Sequence, residues 1–134
     1  MSQTPNWQSI SQLPLIAHMI DGELADTQSQ YQTLQPAVAR PYILDNQIVE
    51  RLIKVFGDRK EFQGIYAEQL ARWKALDLNA TQKREVERLE QQLEKLIGVN
   101  TEILTLALQL KEGTIEKVLG KSDLQLGLEA LMKF

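Results

Sequence analysis

Three polar side chains near the amino terminus are the first candidates for chemistry. The only histidine, His18, is followed three residues later by Asp21 and then by Glu23. On a helix, His18 and Asp21 share one face, which would suit an acid–base pair or two ligands of a metal ion. Zinc enzymes usually supply three protein ligands, so we keep His18, Asp21 and Glu23 as candidate metal ligands. A surface histidine and aspartate on a helix with one buried face would give the same pattern.

Other catalytic motifs are not found in the sequence. The chain has no cysteine, which excludes disulfides and thiolate metal sites. No glycine loop that could hold a phosphate follows a strand, and no nucleophile elbow or Ser–His–Asp arrangement can be identified. Glu87, Glu90 and Glu94 form an acidic column, but Arg84 and Arg88 beside them indicate a charge-compensated, solvated face. The sequence therefore predicts no cofactor and favours a protein that is not an enzyme.

The length and charge of the chain narrow its class. A chain of 134 residues fits one domain, and we assign residues 1–12 to a flexible arm and residues 13–134 to a single helical domain. The net charge of −3 argues against nucleic acid as a partner. No apolar run approaches the roughly 20 residues that cross a bilayer, and the first residues lack a secretory signal. We therefore expect a soluble, cytoplasmic protein with no membrane partner.

The strongest helical signal covers residues 80–112. Its apolar residues recur at alternating steps of three and four, which is the heptad pattern of a coiled coil. Asn79 and Gln82 have the types and spacing of a reciprocal helix cap. A second helix is predicted over residues 46–76, with Asp45 as its cap. The link between the two helices is short, so they are predicted to form a long antiparallel hairpin.

The second helix carries a main apolar stripe and a shorter second one. The main stripe is expected to face the long helix and consists of Ile48, Leu52, Val55, Phe62, Tyr66 and Trp73. The second stripe is confined to the first half and consists of Val49, Ile53 and Phe56. Arg59 on the main stripe falls opposite Asn100 on the long helix, and we hypothesise that a hydrogen bond between them fixes the register. The alternative is that Arg59 reaches solvent.

A third helix is predicted over residues 13–35. At ~1.5 Å per residue it is too short to cover the hairpin, so we expect it to pack on the wide half and leave the tip uncovered. After Gly113 the sequence is again apolar, which predicts a short helical segment that closes the wide end or docks on a partner. Gly57 and Gly64 would let another helix approach closely, either the third helix or a second copy. The predicted fold class is all-α and four-helix-bundle-like.

An uncovered hairpin tip favours a non-catalytic protein–protein interaction module that forms a homodimer or binds a helical partner. The expected interface is built from seven apolar residues near the tip. They are Phe62, Tyr66, Leu70, Trp73, Val86, Leu89 and Leu93. Two alternatives remain open. One is a small-ligand- or metal-binding bundle that uses His18, Asp21 and Glu23, and the other is a nucleic-acid-associated regulator.

Overall fold

A computed structural model of the chain describes residues 6–40 and 44–111. Within these ranges the protein is all-helical, with three helices packed against each other. They are α1 (Leu13–Leu34), α2 (Asn46–Lys74) and α3 (Ala80–Lys111). Short 3-10 helices, Ile10–Gln12 and Gln35–Val38, extend α1 at both ends. The predicted helical segment after Gly113, and with it the four-helix arrangement, lies outside the described residues.

Local cap chemistry sets the helix starts. The Asp45 carboxylate accepts a hydrogen bond from the Ile48 amide at 2.7 Å and thereby satisfies one of the free amides of the first turn of α2. At the start of α3, Asn79 Oδ1 accepts from the Gln82 amide at 2.8 Å, and Gln82 Oε1 accepts from the Asn79 amide at 3.1 Å. Both predicted caps are therefore confirmed. Such pairs act over three residues, so the sequence alone is enough to specify them.

The directions of the helices follow from the contacts between them. Asn100 of α3 bonds to Phe56, whereas Glu90 of the same helix bonds to Lys74, so α2 runs antiparallel to α3. On the other side, α1 begins beside the start of α3 and ends beside its last turns, so these two helices are parallel. Helix α3 packs against both neighbours, while the backbones of α1 and α2 approach each other far less. The bundle is therefore built around α3.

The core divides into two apolar clusters separated by a polar layer. The tip cluster lies near the turn between α2 and α3 and contains Leu13, Ile16, Ile20, Leu24, Leu70, Trp73, Val86, Leu89, Leu93 and Leu96. The wide-end cluster lies at the opposite end and contains Leu34, Ala37, Val49, Phe56, Ile103, Leu106 and Leu110. Between them are Thr27, Gln63 and Asn100, one from each helix and all nearly fully buried. The single polar interruption expected in α3 is thus part of a three-helix layer.

The prediction that the hairpin tip is left uncovered is wrong. Helix α1 has 22 residues, about 33 Å, and is shorter than the hairpin as expected. It nevertheless starts at the tip, where Leu13 and Ile20 pack with Trp73, Val86 and other members of the tip cluster. The physical reason is that the first half of α1 is its more apolar half, and it buries most area against the similarly apolar residues of the tip.

The prediction of which stripe of α2 faces the core is wrong for its first half. The structure buries Val49, Phe56, Gln63 and Leu70, which are spaced by seven residues, to 2% exposure or less. Three residues of the predicted main stripe face outward instead: Ile48, Val55 and Phe62 are 46%, 37% and 58% exposed. Leu52 and Tyr66 are half-buried, and only Trp73 of that stripe is fully buried. In the first half of α2, the buried face is therefore offset by about one residue, roughly 100°, from the predicted one.

The described part of the amino-terminal arm is fastened to α2. The Gln8 amide donates to Gln69 Oε1 at 2.7 Å, and the Gln8 carbonyl accepts from the Trp73 indole at 2.9 Å and from Gln69 Nε2 at 3.4 Å. The Arg72 guanidinium stacks over the Trp7 ring at 4.3 Å. Trp7 and Gln8, which lie in the predicted arm, therefore contact α2.

Across residues 6–40 and 44–111, the helices are too polar or too short to span a lipid bilayer.

Candidate functional site

The three candidate metal ligands on α1 do not converge. Asp21 faces α3, where it accepts from Arg88 Nη1 and Nη2 at 3.0 and 2.9 Å. Glu23 faces α2, where it accepts from Gln63 Nε2 at 3.4 Å. His18 is exposed. In the part of the chain that the structure describes, no three potential ligands gather around one point. Geometry therefore gives the metal hypothesis no support in these residues.

The Asp21–Arg88 pair instead fastens α1 to α3. The two hydrogen bonds form a fork between guanidinium and carboxylate, and Gln92 Nε2 adds a third contact to Asp21 at 3.1 Å. The hydrogen bonds from Arg88 are the main reason why the pKa of Asp21 lies below its ordinary value. Arg88 also bonds to Glu85 of its own helix, and its pKa is raised, first by Asp21 and then by Glu85. This cluster holds α1 against α3, and its charged groups pair with one another.

The hypothesised hydrogen bond between Arg59 and Asn100 is not formed. Asn100 Nδ2 donates to the Phe56 carbonyl at 3.0 Å and so ties α3 to α2. Arg59 Nη1 donates to Asp26 Oδ2 at 3.1 Å and to Thr27 Oγ1 at 3.4 Å, and so ties α2 to α1. Its guanidinium also lies 4.8 Å from the centre of the Phe56 ring. Arg59 pairs with α1 because Asp26 offers a charge, which the amide of Asn100 does not.

The buried polar layer is only partly satisfied. Gln63 Oε1 and Asn100 Oδ1 are buried and accept no hydrogen bond from the described residues. A buried carbonyl without a partner costs stability, so the layer is a weak point of the core and a reason for its division into two clusters. Gln63 was missed by the sequence reasoning, although its spacing of seven from Phe56 and Leu70 is a detectable signal.

Most of the predicted interface is used inside the chain. Leu70, Trp73, Val86, Leu89 and Leu93 are buried in the tip cluster, where α1 covers them. A surface that is already covered by its own chain cannot serve a partner without unfolding that contact. This part of the predicted interface therefore needs correction, and its members are core residues in the structure.

The two other members of the predicted interface lie on the side of α2 that faces α1. Tyr66 is half-buried, and burial raises the pKa of its phenol, with a smaller contribution from the charge of Glu23. Phe62 is 58% exposed and is the most exposed of the large apolar residues described. Only Phe62 and the open edge of Tyr66 remain accessible to a partner.

Three of the four large apolar side chains that α2 exposes form a line. We call Ile48, Val55 and Phe62 the α2 ridge. Their spacing of seven residues places them on one face of the helix. On α1, Leu15 and Met19 extend the apolar surface at the Phe62 end, with 53% and 41% exposure. Five of the large apolar side chains that face solvent thus lie on or beside one side of the molecule.

Charges surround the α2 ridge on both edges. Along the edge toward α1, the Arg59–Asp26 ion pair separates a shallow cavity beside Val55 from another beside Phe62. Arg51 and Asp58 are both exposed and follow the helix on the opposite edge, although the Arg51 side chain also lines the cavity beside Val55, and Asp58 pairs with Lys54 at 3.4 Å. The ridge is therefore an apolar line with neutralised charge on one edge and one charge of each sign on the other.

Comparison of the chain with protein-family models, with curated proteins and with solved structures finds no match.

Proposed function

We propose that this protein is a non-catalytic helical interaction module that forms a homodimer through the α2 ridge. The observation that carries the proposal is the exposure of Ile48, Val55 and Phe62 in a heptad line on one face of α2, next to the face that packs into the bundle. Large apolar side chains that are exposed together, with polar residues at their rim, are typical of an interaction site. The proposed interface replaces the hairpin tip, whose apolar residues are covered by α1.

The pattern of the ridge favours a second copy of the chain over an unrelated partner. Ile48 and Phe62 are each seven residues from Val55, so an antiparallel pair of α2 helices has its twofold axis at Val55. In that arrangement Ile48 of each copy meets Phe62 of the other, and the two Val55 side chains meet on the axis. A small side chain at the centre and larger ones at both ends suit close helix packing.

The charges beside the ridge obey the same symmetry. Arg51 lies four residues before Val55, and Asp58 lies three residues after it on the same edge of the helix. Under a twofold axis at Val55, Arg51 of each copy comes opposite Asp58 of the other, so two Arg–Asp ion pairs lie along one edge of the apolar line. Complementary charges of this kind contribute more to specificity and alignment than to affinity.

Light scattering coupled to size-exclusion chromatography tests the dimer. At high micromolar concentration we expect a mass of about twice the 15.3 kDa of one chain. Val55→Glu should give a monomer, because the variant places two carboxylates on the axis of one apolar interface. Leu76→Glu is the matched control, since Leu76 is also exposed, at 52%, but lies beyond the end of α2. It should remain dimeric.

A charge swap tests the symmetry itself. Arg51→Asp and Asp58→Arg should each weaken the dimer, because each places like charges opposite one another, and the double variant should recover it. A wild-type chain that stays monomeric at several hundred micromolar would overturn the proposal. So would a Val55→Glu variant that dimerises as the wild type does. If Leu76→Glu alone abolished the dimer, the interface would lie at the tip.

A further inference from the structure

The side of the hairpin that faces away from α1 carries a second open surface, which we call the back groove. On α2 it is formed by Gly57, Gly64 and Ala67, which follow one another at helical spacing. On α3 it is formed by Ile97 and Leu108, which are 38% and 56% exposed. A cavity lined by Ala67, Leu70, Leu93 and Ile97, with Glu90 and Glu94 at its rim, lies between the two helices. No residue of α1 contributes to that cavity.

The two glycines of the back groove have no explanation within the described residues. A Cβ atom built on Gly57 or on Gly64 meets no described atom within 4 Å, so alanine would fit at both positions. Both are in the interior of α2, where glycine weakens a helix relative to alanine. Glycines at the spacing of two turns are what a helix needs where another segment approaches its backbone closely. The loss of helix stability and the two-turn spacing of the glycines together indicate that another segment packs against α2 at Gly57 and Gly64.

The chain itself supplies a segment of suitable length and composition. The described part of α3 reaches Lys111, only three residues after Leu108, and residues 112–134 follow. From Leu108 to Glu90 the groove is about 27 Å long, which 23 residues can cover. The segment contains the apolar residues Ile115, Val118, Leu119, Leu124, Leu126, Leu128, Leu131, Met132 and Phe134. Side chains of this kind are buried against an apolar surface whenever one is within reach.

Chain topology selects the back groove over the α2 ridge as the place for this segment. The connection between α1 and α2 runs from Val38 to Asn46 at the same end of the bundle at which α3 ends. A segment that left α3 and turned toward the ridge would have to cross that connection, and connections in proteins avoid such crossings. A segment that reverses at Gly113 reaches Leu108 and the back groove without passing over another helix.

We propose that residues 113–134 dock in the back groove of their own chain, against Gly57, Gly64, Ile97 and Leu108. The segment then covers one side of the hairpin, and the α2 ridge on the other side stays free for a second copy. The proposal does not depend on the proposed dimer, because the two surfaces are separate.

The first test is whether replacing a glycine with alanine raises or lowers the melting temperature. Gly22 on α1 is also helical, and a Cβ atom there also meets no described atom within 4 Å, so Gly22→Ala should raise the melting temperature. Gly57→Ala and Gly64→Ala should lower it, because each added methyl group separates the docked segment from the helix. If all three substitutions raise the melting temperature alike, nothing packs against the glycines and the proposal is wrong.

Cross-linking identifies which segment is docked. Because the natural chain has no cysteine, Gly64→Cys combined with Leu124→Cys gives a full-length chain with two thiols only. Treated with a short bis-maleimide, it should form a cross-link within one chain, also in a Val55→Glu background in which the proposed dimer is absent. Gly22→Cys with Leu124→Cys is the control and should give none. A cross-link between two chains, or none in the Gly64 variant, overturns the proposal.

Discussion

Two stripes of α2 that lie one residue apart in sequence differ in their exposure to solvent. Val49, Phe56, Gln63 and Leu70 are buried, whereas Ile48, Val55 and Phe62 face solvent. The buried stripe includes a glutamine, and the exposed one is apolar at each of its three positions. Apolar content therefore does not decide which face of this helix is buried. The difference between the stripes is that the buried one meets two other helices at once.

The contacts of the buried stripe show how α2 is held in this orientation. The Phe56 carbonyl accepts from Asn100 of α3, and Gln63 donates to Glu23 of α1. At the far end, Gln69 and Trp73 hold the backbone of Gln8. A rotation of α2 that buried the ridge would break all these bonds at once and leave buried polar groups unpaired. The polar contacts thus select the rotation, and the α2 ridge is what this selection leaves exposed.

The largest expected difference between the two stripes is in the free energy of unfolding after one phenylalanine of each is replaced by alanine. Phe56→Ala should lower the free energy of unfolding by about 3–5 kcal/mol, because it leaves a cavity in the wide-end cluster. Phe62→Ala should change it by about 0.5 kcal/mol or less when measured at a concentration where the chain is monomeric. Urea denaturation followed by circular dichroism measures both. Equal losses would mean that the two stripes are equally buried, contrary to the orientation described.

Substitutions of the two buried glutamines of α2 should have smaller effects, of opposite sign, on the free energy of unfolding. Gln63→Leu removes a buried oxygen that has no described partner, at the loss of one long hydrogen bond, and should raise the free energy of unfolding by about 1 kcal/mol. Gln69→Leu removes an amide that is bonded at both ends to Gln8 and should lower it by about 1–2 kcal/mol. The same denaturation experiment compares them. A loss in both variants would show that the Gln63 layer contributes more than its visible contacts.

The ion pair on the flank of α1 away from the ridge should have the smallest effect. Asp21 has a pKa below its ordinary value, so it contributes stability above that ordinary value and loses the contribution as the pH falls through the lowered pKa. Since both side chains are about two-fifths exposed, Asp21→Asn should cost under about 1 kcal/mol at pH 7. The difference from the wild type should shrink once the pH falls below the ordinary carboxyl pKa and vanish only below the lowered pKa of Asp21. Unfolding curves at several pH values measure it, and a difference that persists at low pH would contradict the assignment.

The Arg59–Asn100 hypothesis failed because it considered only the two helices of the hairpin. Both residues lie near the middle of the bundle, as the spacing of the two helices predicts. The sequence does not show that α1 runs past the same point with Asp26 and Thr27, which take the hydrogen bonds of Arg59. The same omission produced the error at the tip, where Trp73 and Val86 pack with residues of α1. A helix that is distant in sequence changed the partners of residues whose local pattern was identified correctly.

The sequence by itself determined the all-helical class, the antiparallel arrangement of α2 and α3, and their starting residues. These features depend on residues within a turn or two of each other: the periodicity of apolar side chains, the Asp45 cap and the Asn79–Gln82 pair. Only the tertiary structure decided the rotation of α2, the position of α1 along the hairpin and therefore the exposure of the ridge. Those choices depend on contacts among three helices, and adjacent stripes of similar apolar content cannot be ranked until the third helix is in place.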